Sequence, residues 1–283
     1  MFNDKEGLRM NINGWKYYNH AVIPDTPPHI TPDTKPIEDG SIWKMKEKPL
    51  LARWETDFDC GYETNWWYVI KNKPFVLEEI SSKERKSIRQ ALRKCYVKKI
   101  QPSEYVEQLY NCYLAAASKY ENLGTVQTKE QFYFACEKGL TDYWGGFDAE
   151  TGMLIGYMTV YDRETFAEIA TAKFNPSYFG KQVSDALYYY ILDYYLNECG
   201  KDYICSGSRN INHKTNTQEY KIRRFRYRKA YCKLHIVYNP RIRWIIKILY
   251  VFRKILFKMD FITFIHQINA VLQMEEIVRK DNE

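Results

Sequence analysis

The apolar positions of this chain change period several times, and each change marks an element. LLARW (50–54) and TNWWYVI (64–70) alternate as strands do, with DFDCGYE between them. SSKERKSIRQALRKC (81–95) then takes up the helical period: Ile88, Ala91, Leu92 and Cys95 share a face, and Ser81 and Glu84 have the spacing of a capping box. YVKKI (96–100) reads as a short strand, followed by helices at about 103–119 and 128–138. DYWGGFDA, MLIGYMTVYD and FAEIATAKF (166–174) are three strands whose short connections, ETG and DRET, predict an antiparallel meander. Val183, Ala186, Leu187, Tyr190, Ile191 and Tyr194 recur at three and four residues, which predicts a helix over 181–198 with these residues on its buried face. DYICSG (202–207) is the next strand, and the intervening helix makes it a parallel neighbour of 166–174, diverging from it toward the turn at 176–182. A short helix near 216–224, the segment YRKAYCKLHIVY and helices at about 241–258 and 260–279 complete the chain. Residues 20–49, rich in proline, predict an extended loop or arm.

This order predicts an α+β class with a mixed sheet and flanking helices. It divides the chain into an N-terminal extension (1–80) packing on a main lobe (81–240), and a C-terminal helical pair (241–283). At 283 residues, 45% hydrophobic and 27% charged, the chain can bury the core of one large or two modest domains. Seven cysteines without a CxxC pair, and a start without an apolar signal core, predict reduced thiols in the cytoplasm and no structural metal. No apolar run approaches the roughly 18–20 residues that span a bilayer. The net charge of +7 concentrates at Lys83–Lys99 and Arg223–Lys258, which points to anionic partners.

The stretch FNPSYFGKQVSDAL (174–187) carries a resemblance. Pro176, Tyr178, Gly180, Lys181, Ala186 and Leu187 resemble the P-x-Y-x-G-K…A-L flanks of the pyrophosphate turn in the acyl-CoA N-acyltransferase (GNAT) superfamily. Within the turn's own Arg/Gln-x-x-Gly-x-Gly/Ala pattern, Phe179, Gln182 and Ser184 stand in place of the Arg/Gln, the first Gly and the second small residue. A side chain at the first glycine's place hinders close approach of backbone to phosphate, so weak or absent acetyl-CoA binding is expected. Arg85-Lys86-Ser87-Ile88-Arg89 and the pair Tyr220-Lys221 ahead of Phe225-Arg226-Tyr227 resemble the divergent Fem-type branch. The Fem-type pattern has a glycine where Arg226 stands.

What the resemblance implies is a GNAT-like acyltransferase lobe. Its donor would be acyl-CoA or aminoacyl-tRNA, held by Phe174, Tyr178, Gly180, Lys181, Gln182 and Ser184. The acceptor would be an amine on a phosphate-bearing sugar or a lipid-linked cell-envelope glycan precursor. Glu168, on the strand that carries the base in N-acyltransferases, would deprotonate the ammonium, which has no lone pair until it loses a proton. Tyr220 matches the tyrosine that protonates the leaving group in one register, and Ile222 takes that place in another. Arg85 and Arg89, with Arg93, form a stripe four residues apart that suits phosphate. Asp57, Asp59, Trp66 and Trp67 combine carboxylates and indoles as sugar sites do. Solvated charges and packed aromatics explain the same residues.

The alternative reading is a non-catalytic, membrane-peripheral module of the same fold that binds an anionic headgroup or glycan. A third, RNA stacking on the tyrosines of 220–231, rests on basic-aromatic texture alone. His213 has no partner for nucleophilic chemistry. In PRIRWIIKILYVFRKILFKMDF (240–261), Arg243, Lys247, Tyr250, Lys254 and Lys258 form one stripe opposite Ile242, Ile245, Ile246, Leu249, Phe252 and Leu256. That pattern suits a helix lying in an anionic membrane surface, or one docked on the protein's own core.

Overall fold

The computed structural model describes residues 13–119, 126–211 and 216–282. His213 lies outside them. The elements in chain order are β1 (Trp15–Tyr18), β2 (Ala21–Pro24), the single turn α1 (Lys35–Glu38), β3 (Leu51–Thr56), β4 (Trp66–Lys71), α2 (Ser82–Lys94) and β5 (Cys95–Ile100). There follow α3 (Pro102–Ala117), α4 (Lys129–Glu137), β6 (Asp142–Asp148), β7 (Leu154–Asp162), β8 (Phe166–Phe174), α5 (Val183–Leu192) and β9 (Tyr203–Ser208). The chain ends with α6 (Thr217–Phe225), β10 (Arg228–Tyr238), α7 (Arg243–Val251), α8 (Arg253–Lys258) and α9 (Thr263–Asp281). The class is α+β with mixed strand pairing, as the sequence predicts.

The chain folds as two compact units. In the first, Val69–Gly207 with Asn216–Arg228, β5, β6, β7 and β8 form the expected antiparallel meander, and β9 joins β8 in parallel. Helix α2 starts at Ser81, whose side chain accepts from the Glu84 amide, and runs directly into β5. One face of the meander is closed by α3 and α4, where Leu109, Cys112, Phe132 and Cys136 pack on Ile100, Phe147, Leu154 and Tyr157.

Helix α5 closes the opposite face, and two cross-strand glycines set how closely it lies. Gly146 pairs with Gly156, and a Cβ on Gly146 would stand 2.4 Å from Val183. One on Gly156 would meet Phe174 at 2.9 Å and Val183 at 3.0 Å. Gly146→Ala is therefore expected to cost about 1–3 kcal/mol in a denaturant titration, because α5 must shift or Val183 leave its rotamer. An unchanged midpoint would show that α5 yields freely. The buried face of α5 is broader than the periodicity predicts: Tyr188 and Leu192 are buried, whereas Tyr190 is exposed. The helix packs on more than one side, and its final turn, Asp193–Glu198, is π-helical.

The second unit holds the described residues up to Tyr68, 208–211 and those from Lys229 onward. Its strands run β1-β2-β3-β10, with β2 parallel to β3 and the other pairs antiparallel. The proline-rich segment is not an extended arm. Trp15, Val22, Ile37, Ile42, Met45 and Ala52 form a buried cluster, and the Trp15 indole donates to Asp33 O at 2.8 Å. Proline near the start of α1 is compatible with helix, since the first amides have no intrahelical acceptor. A second cluster joins Trp66, Cys232 and Leu234 to Met274 and Ile277 of α9. The helix expected over 241–258 is broken at Phe252 into α7 and α8.

Candidate functional site

The β8–β9 ladder is short. Phe166, Ala167 and Glu168 pair with Tyr203, Ile204 and Cys205, after which β8 runs on to Phe174 and β9 to Ser208 without further pairing to each other. The strands are parallel neighbours that part toward the 176–182 turn, as expected. The turn is a 3-10 segment, Pro176–Lys181, opened by Asn175, whose side chain accepts from the Ser177 amide. It closes at Gln182, which adopts the left-handed conformation (φ 61°) and caps α5. This is a region that costs a side chain roughly 1 kcal/mol.

Beside this turn a cavity of about 160 Å³ is lined by Phe174, Phe179, Gln182, Ser184, Tyr220 and Arg224. Its polar centre is Asp185 in the first turn of α5, 2% exposed. The Asp185 carboxylate accepts from Ser87 Oγ at 3.0 Å, from the Tyr220 hydroxyl and from the Arg224 guanidinium. Arg224 Nη1 also donates to Ser87 Oγ at 2.8 Å, while its Nε is buried without a partner. Burial, then the Asp185 charge, raises the Tyr220 pKa well above the ordinary phenol value, so Tyr220 stays protonated. A carboxylate near a helix N-terminus takes the place where the dipole would favour an external anion.

The other candidates at this turn divide. Tyr220 lines the cavity and Ile222 does not. Phe174, Gln182 and Ser184 line it as well. Lys181 is turned onto Glu150 at 2.8 Å and Asp148 at 3.0 Å, and these hydrogen bonds raise its pKa. Tyr178 donates toward Met153 Sδ, and Gly180 O accepts from Lys94. These three do not line the cavity.

A second group gathers where the strands part. Lys221 on α6 is 7% exposed, and its Nζ donates to Ser206 Oγ at 2.5 Å. Ser206 is the first β9 residue past the ladder. The Tyr188 hydroxyl also hydrogen-bonds Ser206, and its ring faces the ammonium at 5.9 Å. Burial pushes the Lys221 pKa down from 10.5 to about 8.

Glu168 ends the ladder on β8, opposite Tyr161 of β7, whereas Phe174 lies opposite Gly156. The register shifts between Thr159 and Val160, so β8 carries one extra residue, and this bulge puts Glu168 on the sheet face opposite Phe174 and the cavity. Strict alternation would have placed the two on one face.

Arg89 pairs with Glu78 at 3.5 Å, and Arg93 donates to Arg89 O. Arg85 is half-buried on the same helix. In the second unit, Asp57 and Asp59 both take left-handed turn conformations, and Asp57 pairs with Lys233 at 2.9 Å. Trp66 is buried, its indole donating to Glu55, so its ring belongs to the core and not to a sugar platform. Trp67 points to the other face, with Lys229 at 4.1 Å and Arg209 at 4.6 Å over its ring. Of the tyrosines in 220–231, Tyr227 is buried, Tyr220 is bonded into the Asp185 cluster, and Tyr231 is half-buried with its hydroxyl donating to Glu63 at 3.0 Å.

Sequence reading passed over Ser87, Asp185, Ser206 and Arg224. One signal was present: Asp185 interrupts the apolar positions Val183, Ala186 and Leu187, and a carboxylate on a buried face requires partners. Nothing along the chain named those partners. Among the described residues no three His, Cys, Asp or Glu side chains gather as metal ligands.

No family model and no curated protein matches the sequence. Among solved structures, the chain is similar to FemX at 9% identity and a TM-score of 0.54, over 74% of this chain and 78% of that one. It is also similar to L-PGS from Bacillus licheniformis (15%, TM-score 0.48, 80% and 79% of the two chains). A tandem GNAT protein from the clavulanic acid biosynthesis pathway is similar at 10% identity and a TM-score of 0.42, over 77% and 75%. The likeness to FemX bears on the fold alone, and with the parted β8–β9 ladder and the turn capping α5 it gives this chain a GNAT-like fold of the FemX-like kind.

Proposed function

We propose that the protein is an N-acyltransferase that passes an acyl or aminoacyl group to an amine on a phosphate-bearing sugar or lipid-linked cell-envelope glycan precursor. The observation that carries this reading is the opening between β8 and β9, with a buried lysine at its edge. The donor carbonyl would enter from the α5–α6 side, where the protonated Lys221 ammonium can stabilise the developing oxyanion. The acceptor amine would approach from the Glu168 side. Its nitrogen attacks the carbonyl carbon, its proton passes to Glu168, and the bond from that carbon to the donor's leaving oxygen or sulfur breaks. Tyr220, protonated on the cavity wall, is the proposed proton source for the leaving group.

The turn favours an aminoacyl ester over acyl-CoA as donor. Lys181 is held by two carboxylates, and Asp185 already neutralises Arg224 at the start of α5. The test incubates the protein with tRNA charged with labelled amino acids and with amine-bearing sugar nucleotides or lipid-linked glycan precursors. Labelled acceptor should form, and Glu168→Gln should slow its formation on the order of a hundredfold or more. Acetyl-CoA should leave the melting temperature nearly unchanged, whereas a saturating rise at micromolar concentration would make acyl-CoA the donor.

The non-catalytic reading draws support from the small, internally paired cavity. It predicts saturable glycan or headgroup binding without transfer from any donor.

A further inference from the structure

Within the second unit, α9 buries several of its residues, whereas α7 and α8 bury none. Leu272, Met274 and Ile277 of α9 are buried, and Asn269 ties α8 to it by donating to Leu256 O at 2.9 Å. The Tyr250 ring lies between the guanidiniums of Arg253 and Arg279, each at 4.1 Å. Tyr250 therefore turns inward, against the sequence expectation that it joins the polar stripe. Ile242, Ile246, Leu249 and Leu256 are half-buried, as a docked helix requires, yet no residue of α7 or α8 is fully buried.

The rest of the apolar surface points outward. Trp244 (61% exposed), Ile248 and Val251 (71%) step by four and three residues along one face of α7, and Ile255 is exposed on α8. Phe261 (82%), in the turn after α8, and Phe264 (71%), in the first turn of α9, are exposed as well. Monomers rarely expose so many large apolar side chains within one short segment without a use for them. The exposed side chains of Arg243, Lys247, Lys254 and Lys258 accompany them. Residues 241–259 contain six Lys and Arg and no Asp or Glu. Two copies meeting through this face would oppose six positive charges to six. An anionic occupant satisfies both the charge and the apolar side chains.

We propose that α7, α8 and the turn to α9 form a membrane-docking face, which lies in the headgroup region of an anionic bilayer with its indole, phenyl and isoleucine side chains at the acyl boundary. Among the described residues no helix is long and apolar enough to cross a membrane. This proposal goes beyond the transfer reaction and does not depend on it. Its assay reads binding, and a chain that transfers but ignores vesicles, or binds vesicles but transfers nothing, separates the two.

The test is co-sedimentation of the full chain with vesicles of phosphatidylglycerol and phosphatidylcholine, against phosphatidylcholine alone. Wild type should bind the anionic vesicles and release them as salt rises. Two triple variants, Trp244→Ser/Ile248→Ser/Ile255→Ser and Lys247→Glu/Lys254→Glu/Lys258→Glu, should each lower vesicle affinity by on the order of a hundredfold. Their melting temperatures should stay within about 2 °C of wild type, since the replaced side chains are solvent-facing. Failure of wild type to bind anionic vesicles overturns the proposal, as does binding that survives the serine substitutions. A lipid-free dimer that the serine substitutions dissociate would assign the face to a second copy instead.

Discussion

Replacing Lys221 by Met is expected to raise the stability of the protein at pH 7 while abolishing the proposed transfer. The native pKa of about 8, against 10.5 for an ordinary lysine, means that the folded protein holds the charged form less favourably than the unfolded chain does. That difference amounts to about 3 kcal/mol of destabilisation wherever both states are protonated, below about pH 8. Between about pH 8 and 10.5 the unfolded chain binds the proton that the native protein has lost, so the contribution of Lys221 becomes more favourable as pH rises through that window. Methionine fills a similar volume without the charge, and Ser206 keeps the Tyr188 hydroxyl as a partner. The variant should gain about 1–3 kcal/mol at pH 7, a rise in melting temperature of roughly 3–8 °C. The difference from wild type should shrink as pH approaches 10.5. A gain in stability would fit a lysine held for the proposed oxyanion role and not for the fold. A lower melting temperature in Lys221→Met would make the residue structural and remove the oxyanion role.

The fold was legible where local period and connection length decide it. The meander, the parallel crossover and the turn before α5 follow from strand alternation, short turns and one intervening helix, and each has its expected partner. Side-chain direction was legible only where the period is unbroken. Phe166, Glu168 and Ala170 alternate faultlessly in sequence, yet the bulge in β8 turns Glu168 to the face opposite Phe174. No residue there marks a bulge in advance. The C-terminal helix breaks at Phe252 without a proline or glycine to mark it, and no residue of α7 or α8 is buried.

The candidate site was legible by half for a related reason. The helix that follows Gln182 leaves a trace in sequence through its period, whereas the left-handed bend at Gln182 itself does not, since glutamine does not mark that conformation. The Asp185 cluster draws Ser87 from α2 and Arg224 from α6, 98 and 39 positions away. Contacts between helices so far apart in the chain depend on how each packs on the sheet, and one sequence does not record that. Lys181 illustrates the converse. Its position beside a helix start is what a phosphate ligand would want, but Asp148 and Glu150 reach it from the β6–β7 hairpin.

Asp185→Asn is expected to open the anion position that Asp185 fills. In the wild type the carboxylate lies in the first turn of α5 and balances Arg224, whose Nε has no partner and whose Nη1 is shared with Ser87. Asparagine preserves the shape and removes the charge, which leaves a largely buried guanidinium uncompensated. Breaking such a pair from one side costs about 3–5 kcal/mol, read as a lower denaturant midpoint. Replacing both partners, Asp185→Leu with Arg224→Leu, should restore most of the loss, because no unpaired charge then remains. The double variant separates pairing from packing: if it is as unstable as Asp185→Asn, the cluster's contribution lies in Ser87 and Tyr220 and not in the ion pair. The ligand response distinguishes function. With the carboxylate gone, Arg224 and the α5 N-terminus present an unbalanced positive site, so inorganic pyrophosphate should raise the melting temperature of Asp185→Asn and leave wild type nearly unmoved. Equal stabilisation of both proteins would mean that the wild-type turn already accepts phosphate, and acyl-CoA would then replace the aminoacyl ester as the favoured donor.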